Sequence, residues 1–342
     1  MQKKIRSTRG SILIVALSVV MVGACASEEQ DQGGGPTESE PVSIRFQLAW
    51  TASANAMEYI VADAMGFYEE EGLDVEVIES QDPTAAVGLV GSGEREMGVS
   101  YPPDIFLAAA EGVPVRGVWA QYQVNPLGIV SLSSTGIAGP ADLAGKTIGL
   151  TPLPIDQLLF DVVLAEAGLT RGDMEVVDPG FNGGTLVGEG TLDGASGVPW
   201  FEVVGLRVAG EEPELLQYRD HGGLDFPFQT VIAHGDFADE NPEAVAAFIR
   251  ASIRAHEYAV ENPGEAVDLV MGAYPQLDRA AQETMWREII PLAESELTGE
   301  HNLGYLNIDQ LQALADFLGE GGLLAEEVDA GAVFTNEFQP SD

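Results

Sequence analysis

Residues 44–77 read IRFQLAWTASANAMEYIVADAMGFYEEEGLDVEV, and this stretch decides the fold. Apolar and polar residues alternate over residues 44–48, which is typical of a half-buried strand. Over residues 57–65 the apolar side chains recur at helical spacing and share one face. A second alternating run follows at residues 73–77. A strand, a helix and a strand in this order predict a βαβ unit, and therefore a parallel sheet.

The same order of strand, loop and helix recurs along the chain, which predicts an α/β protein. In such sheets ligands bind beyond the carboxyl ends of the strands. Trp50 and the loop that ends at Asn55 follow the first strand, and Tyr101 follows a predicted strand at residues 97–100. Later strands are predicted at residues 127–132 and 229–233, where the chain would cross between two halves of the molecule.

Helix starts are marked by short polar residues followed by proline or by apolar runs. Asp82 with Pro83 predicts a helix that continues to Gly91, and Asp104 predicts the cap of a helix over residues 105–111. Three asparagines, Asn241, Asn262 and Asn307, predict the starts of later helices that would pack on the first half of the molecule.

Several stretches resemble the NMT1/THI5-like family, the thiamine-precursor (pyrimidine) substrate-binding proteins of ABC importers. They are W-T-x(3)-N (residues 50–55) with GFYEEEGLDVEV (66–77), PTAAVGLVGSGEREMGVSY (83–101), GPADLAGKTIGL (139–150), PWFE (199–202) and FTNEF (334–338). The resemblance covers nearly the whole chain after its first 41 residues. It implies a type II periplasmic-binding-protein fold, with two α/β lobes joined by two crossover strands and a ligand between them.

Five segments are expected. Residues 1–25 would be a lipoprotein signal peptide and residues 26–41, which are acidic and rich in glycine, a flexible tether. The first lobe would comprise residues 42–128 and, after the return crossing, residues 229–342, which are mainly helical. The second lobe would comprise residues 129–228.

Cys25 is the only cysteine of the chain, and it ends an apolar segment that follows four basic residues. Val22-Gly23-Ala24-Cys25 resembles a bacterial lipobox, which implies cleavage before Cys25 and lipid attachment to it. An uncleaved anchor or an ordinary signal with a stray cysteine are the alternatives. The apolar run is too short to span a bilayer as a helix. We therefore expect a lipid-anchored protein on the extracytoplasmic face of the cell membrane.

Beyond Cys25 the chain carries 11 basic and 55 acidic residues, a formal charge of −44. Such a charge excludes a nucleic-acid partner, because phosphate backbones are bound by basic surfaces. It is interpreted as a solubility feature. With a single cysteine no intrachain disulfide can form, so the stability must come from packed cores.

Eight residues are candidates for ligand binding: Trp50, Asn55, Asp82, Tyr101, Asn125, Phe181, Trp200 and Glu202. Aromatic side chains suit a flat ring because stacking gains contact area at low entropy cost. A carboxylate suits an exocyclic amine because the hydrogen bond is charge-assisted. In the resembling family the position of Glu202 meets the amino group of the pyrimidine. Core packing is the alternative for the tryptophans, and helix capping is the alternative for Asp82.

Catalytic, metal and cofactor motifs are not found in the sequence. The four histidines are scattered, and there is no phosphate loop or nucleophile elbow. Fungal relatives that synthesise the pyrimidine use a histidine where this chain has Ala56, and a lysine that holds pyridoxal phosphate, whereas the only lysine here beyond the signal is Lys146. The chain is therefore predicted to bind and not to catalyse.

The identity of the ligand stays open at this stage. The chain departs from the family pattern at Ala52, Ala54 and Ala56, where prolines and the histidine are usual. A thiamine-related pyrimidine is predicted, with a riboflavin-like ring or a sulfonate as the alternative. The expected partners are an ABC permease with its ATPase, and the protein is expected to be a monomer. A sensor or scaffold lipoprotein of the same fold is a further alternative.

Overall fold

A computed structural model describes residues 40–340 of the chain. The predicted signal peptide, Cys25 and the tether up to residue 39 lie outside the described residues. The lipidation of Cys25 therefore stays a prediction.

The first sheet has the strand order β2-β1-β3-β10-β4. Its strands are β1 (Val42–Gln47), β2 (Leu73–Ile78), β3 (Met97–Ser100), β4 (Val115–Ala120) and β10 (Thr230–His234). β1 is parallel to β2 and to β3, as the βαβ pattern predicts. β10 is antiparallel to both of its neighbours, so the prediction of a parallel sheet is wrong at this point. The chain returns here from the second sheet, and β10 therefore starts beside the carboxyl end of β3, where Thr230 pairs with Ser100.

The second sheet has the order β7-β6-β8-β5-β9. Its strands are β5 (Gly128–Leu132), β6 (Thr147–Gly149), β7 (Glu175–Val177), β8 (Gly194–Gly197) and β9 (Pro213–Gln217). β6 is parallel to β7 and β8, while β5 is antiparallel to β8 and β9. Both sheets are therefore mixed, and each has its one reversed strand in an interior position.

The chain passes between the sheets twice, through residues 121–127 and 218–229. The predicted crossover strands are β5 and β10, each of which directly follows one of these passages. The described part of the chain thus has two α/β lobes with two connections, as predicted. We call the elements on the first sheet the first lobe and those on the second sheet the second lobe; the residue boundaries given above for the lobes stay a prediction.

Fourteen helices cover the sheets in the described part of the chain. They are α1 (Met57–Ala64), α2 (Phe67–Glu70), α3 (Ala85–Gly91), α4 (Pro102–Ala110), α5 (Pro154–Glu166), α6 (Gly183–Gly188), α7 (Val204–Val208), α8 (Gly235–Glu240), α9 (Pro242–Glu261), α10 (Pro263–Ala273), α11 (Arg279–Ile289), α12 (Glu296–Glu300), α13 (Ile308–Glu320) and α14 (Ala330–Val333). Short 3-10 turns occur at Ala54–Ala56 and Tyr218–Asp220, and a π-helical turn at Pro199–Val203. The three starts predicted at asparagines are confirmed, since α9, α10 and α13 each begin at the next residue.

Two predicted helix starts are wrong. α3 begins at Ala85, and Asp82 instead accepts hydrogen bonds from the amide and hydroxyl of Thr84 at 2.9 and 2.8 Å, forming a local turn before the helix. α4 begins at Pro102, with Tyr101 as its N-terminal flanking residue, so Asp104 lies in the first turn and is not the cap. Two prolines fit the first turn because its amides have no helical partner in any case.

The core of the first lobe is built from aromatic side chains of β1, α1, α2 and α9. Phe248 of α9 packs against Phe46 and Tyr68 with ring centroids 4.7 and 5.1 Å apart. The inner face of α9 consists of residues that recur at helical spacing and are all buried: Val245, Phe248, Ile249, Ser252 and His256. α11 packs on α10 and also on α7 of the second lobe, so the later helices do not cover the first lobe alone.

Candidate ligand-binding cleft

A cavity of about 310 Å³ lies between the two lobes and is lined by residues from both. Trp50 follows β1, Tyr101 follows β3, Thr151 follows β6 and Trp200 follows β8. The cavity therefore lies beyond the carboxyl ends of the parallel strands, where α/β sheets bind their ligands. Its volume is at the lower end of the range of about 300–1,000 Å³ that is usual for small-molecule sites.

Aromatic rings form much of the cavity wall. Trp200 is 1 % exposed and lies 6.1 Å from Phe228, which in turn lies 5.0 Å from Tyr101, measured between ring centroids. At the other side, Trp50 of the first lobe meets Phe181 of the second lobe at 5.6 Å. Phe181 is 54 % exposed, so this contact between the lobes is at the mouth of the cavity.

The side chain of Glu202 packs closely against two glycines, Gly184 and Gly197. A Cβ at Gly197 would lie 2.6 Å from Glu202 Cγ, and one at Gly184 would lie 3.1 Å from the same atom. Glu202 Oε2 accepts a hydrogen bond of 2.8 Å from the amide of Val198. Burial raises the pKa of Glu202, and the Val198 amide opposes that shift. The small residues of β8 thus have a specific role, because they leave room for a carboxylate at the end of the strand.

Gly197→Ala is expected to lower the free energy of unfolding by about 1–3 kcal/mol, because the added methyl group would collide with the side chain of Glu202. Urea denaturation at neutral pH measures this. Gly205→Ala on α7 is the matched control, since no atom lies within 4 Å of a Cβ at Gly205. Equal stability of the two variants would contradict the close packing of Glu202 against β8.

Two further carboxyl groups line the cavity, and neither was predicted as a site residue. Asp156 lies in the first turn of α5 and is 2 % exposed. Burial raises its pKa to about 7; the hydroxyls of Ser196 and Tyr218 oppose the shift, and the charge of Glu202 adds to it. Burial likewise raises the pKa of Asp104 to about 6, with a contribution from the charge of Asp82. In the sequence, Asp156 has the pattern of an ordinary acidic residue at a helix N-terminus.

No lysine, arginine or histidine is among the described residues that line the cavity. Besides its three carboxyl groups the lining contains the hydroxyls of Tyr101, Thr151 and Ser196 and the indole groups of Trp50 and Trp200, and its other side chains are apolar. Phe226 and Phe228 also line it. They were not predicted as site residues, because they directly precede the predicted crossing strand at residues 229–233. The cleft can stack a flat ring and accept hydrogen bonds from it.

Of the eight predicted site residues, five line the cavity: Trp50, Tyr101, Phe181, Trp200 and Glu202. Asp82 lies beside it in the turn before α3. The amide side chain of Asn55 is buried and accepts a hydrogen bond of 2.7 Å from Ser53. Asn125 is fully buried between the two chain crossings, where its side chain donates to the Leu224 carbonyl and its backbone amide donates to Asp225.

Groups that could suggest catalysis lie elsewhere. Lys146 donates a hydrogen bond of 2.6 Å to the Thr135 carbonyl and does not line the cavity. His256 Nδ1 is 2.9 Å from Glu58 Oε1 in the buried core of the first lobe. Over residues 40–340 no group of three or more His, Cys, Asp or Glu side chains could hold a metal ion. Nor does any helix in this range have the length and apolarity to cross a membrane.

The sequence profile of NMT1/THI5-like proteins matches residues 53–266. The chain belongs to this family. The matched range includes most of the cavity lining, from Pro83 to Phe228, but not Trp50, and it ends within α10.

The similar proteins are named for different functions, two for binding a small molecule and one for synthesis. The chain is 26 % identical to a formylaminopyrimidine-binding protein of Halalkalibacterium halodurans, over 80 % of this chain and 83 % of that one. It is 29 % identical to the riboflavin-binding protein RibY of Chloroflexus aurantiacus, over 95 % and 96 %. It is 25 % identical to a 4-amino-5-hydroxymethyl-2-methylpyrimidine phosphate synthase of Legionella pneumophila, over 87 % and 92 %.

Among solved structures, the alkanesulfonate-binding protein SsuA of Xanthomonas axonopodis pv. citri, bound to MOPS, superposes with a TM-score of 0.66. It is 16 % identical, and the match covers 88 % of this chain and all of that one. This likeness confirms the predicted type II periplasmic-binding-protein fold.

Proposed function

We propose that this protein is the solute-binding component of an ABC importer, that it captures a thiamine-related pyrimidine in the cleft, and that it delivers the ligand to the permease. The observation that carries the proposal is a cavity between two lobes, lined by aromatic rings from both and by the buried carboxyl group of Glu202. Aromatic rings recognise the flat heterocycle, and the carboxyl group recognises its exocyclic amine. Membership of the family and the pyrimidine-binding relative support this assignment.

Binding would close the lobes about the two chain crossings, as in other two-lobed binding proteins. Trp50 and Phe181 are the residues through which the lobes would meet at the mouth of the cavity. The protein would work as a monomer outside the cell, anchored by lipid at Cys25. Mass spectrometry of the mature N-terminus tests that anchor.

The synthase named among the relatives represents a different class of function. We propose binding without turnover, because the position of the histidine in the resembling enzymes is Ala56 here and is buried. The one lysine beyond the signal, Lys146, is engaged with a backbone carbonyl away from the cavity. Ligand recovered unchanged after long incubation is the expected result, and steady conversion of it would favour the enzyme.

A riboflavin-like ring is the second candidate ligand. It is favoured by the relative RibY, whose match extends over nearly the whole chain, and by the aromatic lining, which accepts any flat ring. A sulfonate is disfavoured, because no basic side chain is present among the described residues of the lining.

Isothermal calorimetry with 4-amino-5-hydroxymethyl-2-methylpyrimidine tests the proposal. Wild-type protein is expected to bind it, and Glu202→Gln is expected to bind it roughly 10- to 150-fold more weakly, because a hydrogen bond to a charged group contributes about 1.5–3 kcal/mol. Glu189→Gln is the matched control, since Glu189 is exposed at the end of α6 in the same lobe. If the wild-type protein binds riboflavin but does not bind the pyrimidine, riboflavin becomes the proposed ligand in place of the pyrimidine.

A further inference from the structure

Three buried polar atoms near the second-lobe side of the cleft have no hydrogen-bond partner among the described residues. They are Asp156 Oδ1, Trp200 Nε1 and Tyr218 Oη. The Tyr218 hydroxyl lies close to the Asp156 carboxyl group and lowers its pKa, but the two groups do not have the geometry of a full hydrogen bond. All three residues are at most 2 % exposed, and Asp156 and Trp200 line the cavity directly. Buried polar groups are nearly always paired, and an unpaired one costs about 1–3 kcal/mol. Since Asp156 and Trp200 both line the cavity, a ligand in the cleft can supply an acceptor for the indole N–H and a donor for the carboxyl group.

The surroundings of Asp156 leave its charge largely uncompensated. Glu202 of the neighbouring turn adds negative charge, and Ser196 of β8 and Tyr218 contribute only hydroxyl groups. The positive charge of Arg171 lowers the pKa of Asp156. However, the Arg171 guanidinium already donates hydrogen bonds to both carboxylate oxygens of Asp161 and to Gln157. The cavity wall therefore has an acceptor that a cationic or N–H-bearing ligand can satisfy and that an anionic ligand cannot.

We propose that Asp156 and Trp200 Nε1 form a second polar recognition point, separate from Glu202, for an uncharged or cationic ring that offers one N–H donor and one lone-pair acceptor. Asp156 accepts from the N–H group, and the indole of Trp200 donates to the lone pair. The same carboxyl group, together with Glu202 and Asp104, excludes anionic ligands such as phosphate monoesters and sulfonates. The inference rests on the proposed function, because it assumes that the cleft is where the ligand binds.

Charge decides the exclusion. A phosphate ester in this cavity would lie among three carboxyl groups in a partly desolvated site, where like charges repel strongly. An amine or ring N–H in the same position would gain a charge-assisted hydrogen bond. The importer would thus take up a precursor before phosphorylation, so a kinase-type reaction inside the cell must act after transport.

Calorimetry with two matched pairs of compounds tests this inference. The probes are 4-amino-5-hydroxymethyl-2-methylpyrimidine with its phosphate ester, and riboflavin with its 5′-phosphate. At pH 8 the ester of whichever parent compound binds is expected to bind at least about 100-fold more weakly than the parent. Asp156→Asn, which keeps the size of the side chain, is expected to weaken the parent roughly 10- to 100-fold and to narrow the difference between parent and ester.

The pH dependence provides a second readout that lost packing would not produce. The pKa of Asp156 is raised to about 7 by burial, with Glu202 adding to the shift and Arg171, Ser196 and Tyr218 opposing it. Since the ionised form accepts the ligand bond, affinity of the wild type should fall about 30-fold from pH 8 to pH 5.5. The affinity of Asp156→Asn should change less with pH, because Glu202 and Asp104 are then the carboxyl groups of the lining that still titrate.

The outcomes separate this inference from the proposed function. If the aminopyrimidine binds and Asp156→Asn binds it equally well, or if its phosphate binds as tightly, the inference fails and the proposed function stands. If only riboflavin binds, and does so through Asp156, the inference stands and the pyrimidine assignment fails. If only the phosphate esters bind, or if none of the four compounds binds, both are overturned.

Discussion

Trp200→Ala is expected to lower the free energy of unfolding by about 3–5 kcal/mol, the usual cost of truncating a buried large aromatic side chain. Trp200 is 1 % exposed, and its ring lies 5.0 Å from Tyr122 and 6.1 Å from Phe228. These partners belong to the two chain crossings. The loss should fall in the upper part of the range, because the new void would join an existing cavity and cannot collapse fully. Guanidinium denaturation measures the change.

Trp50→Ala is the matched comparison. Trp50 also lines the cavity, but it is only partly buried and its contact is with the exposed Phe181. It should cost less than about 1.5 kcal/mol of stability, since little of its surface is packed. Both variants should lose ligand affinity. A large loss of stability in Trp50→Ala, or none in Trp200→Ala, would contradict these assignments.

Asp156→Asn is expected to stabilise the ligand-free protein at pH 8 by about 2 kcal/mol. The folded-state pKa of Asp156 is raised from 3.8 to about 7, so the folded protein holds a proton there that the unfolded chain has released between these pH values. Stability of the wild type therefore decreases as pH rises from about 4 to about 7, by at most about 4 kcal/mol at 1.36 kcal/mol per pH unit. The buried amide of the variant offsets part of that gain.

The difference between variant and wild type should vanish near pH 4, where the carboxyl group is protonated in the folded state. Urea denaturation at several pH values follows it. Asp74→Asn is the control, because Asp74 is exposed on the edge strand β2. A pH-independent difference at Asp156 would show that folding does not raise the pKa of its carboxyl group. Higher stability together with weaker binding is the pattern expected of a ligand-binding group.

The sequence predicts well those features that depend on residues close together in the chain. The strand of residues 44–48 follows from its alternating pattern, and the starts of α9, α10 and α13 follow from the asparagines that precede them. Trp50, Tyr101, Trp200 and Glu202 could be assigned to the cleft because each directly follows a strand, or lies within the turn that follows one.

Other features depend on where distant parts of the chain meet, and these could not be predicted. Asn125 looked like a ligand contact, yet its side chain and backbone bind Leu224 and Asp225 from the other crossing. Asp156 has the sequence pattern of an ordinary acidic residue in a first helical turn, and only the packing of β8 and Tyr218 around it shows its burial. The direction of β10 likewise depends on the path by which the chain returns.

The position of β10 has a consequence for the order of folding. In the first sheet β10 lies between β3 and β4, although all five strands of the second sheet separate it from them in the sequence. All five strands of the second sheet lie between residues 128 and 217, so that sheet can pair as soon as its own segment is available. Non-local pairings of the kind that β10 makes close large loops and form slowly. As the chain emerges from the ribosome, the second sheet can therefore be complete while the first still lacks an interior strand.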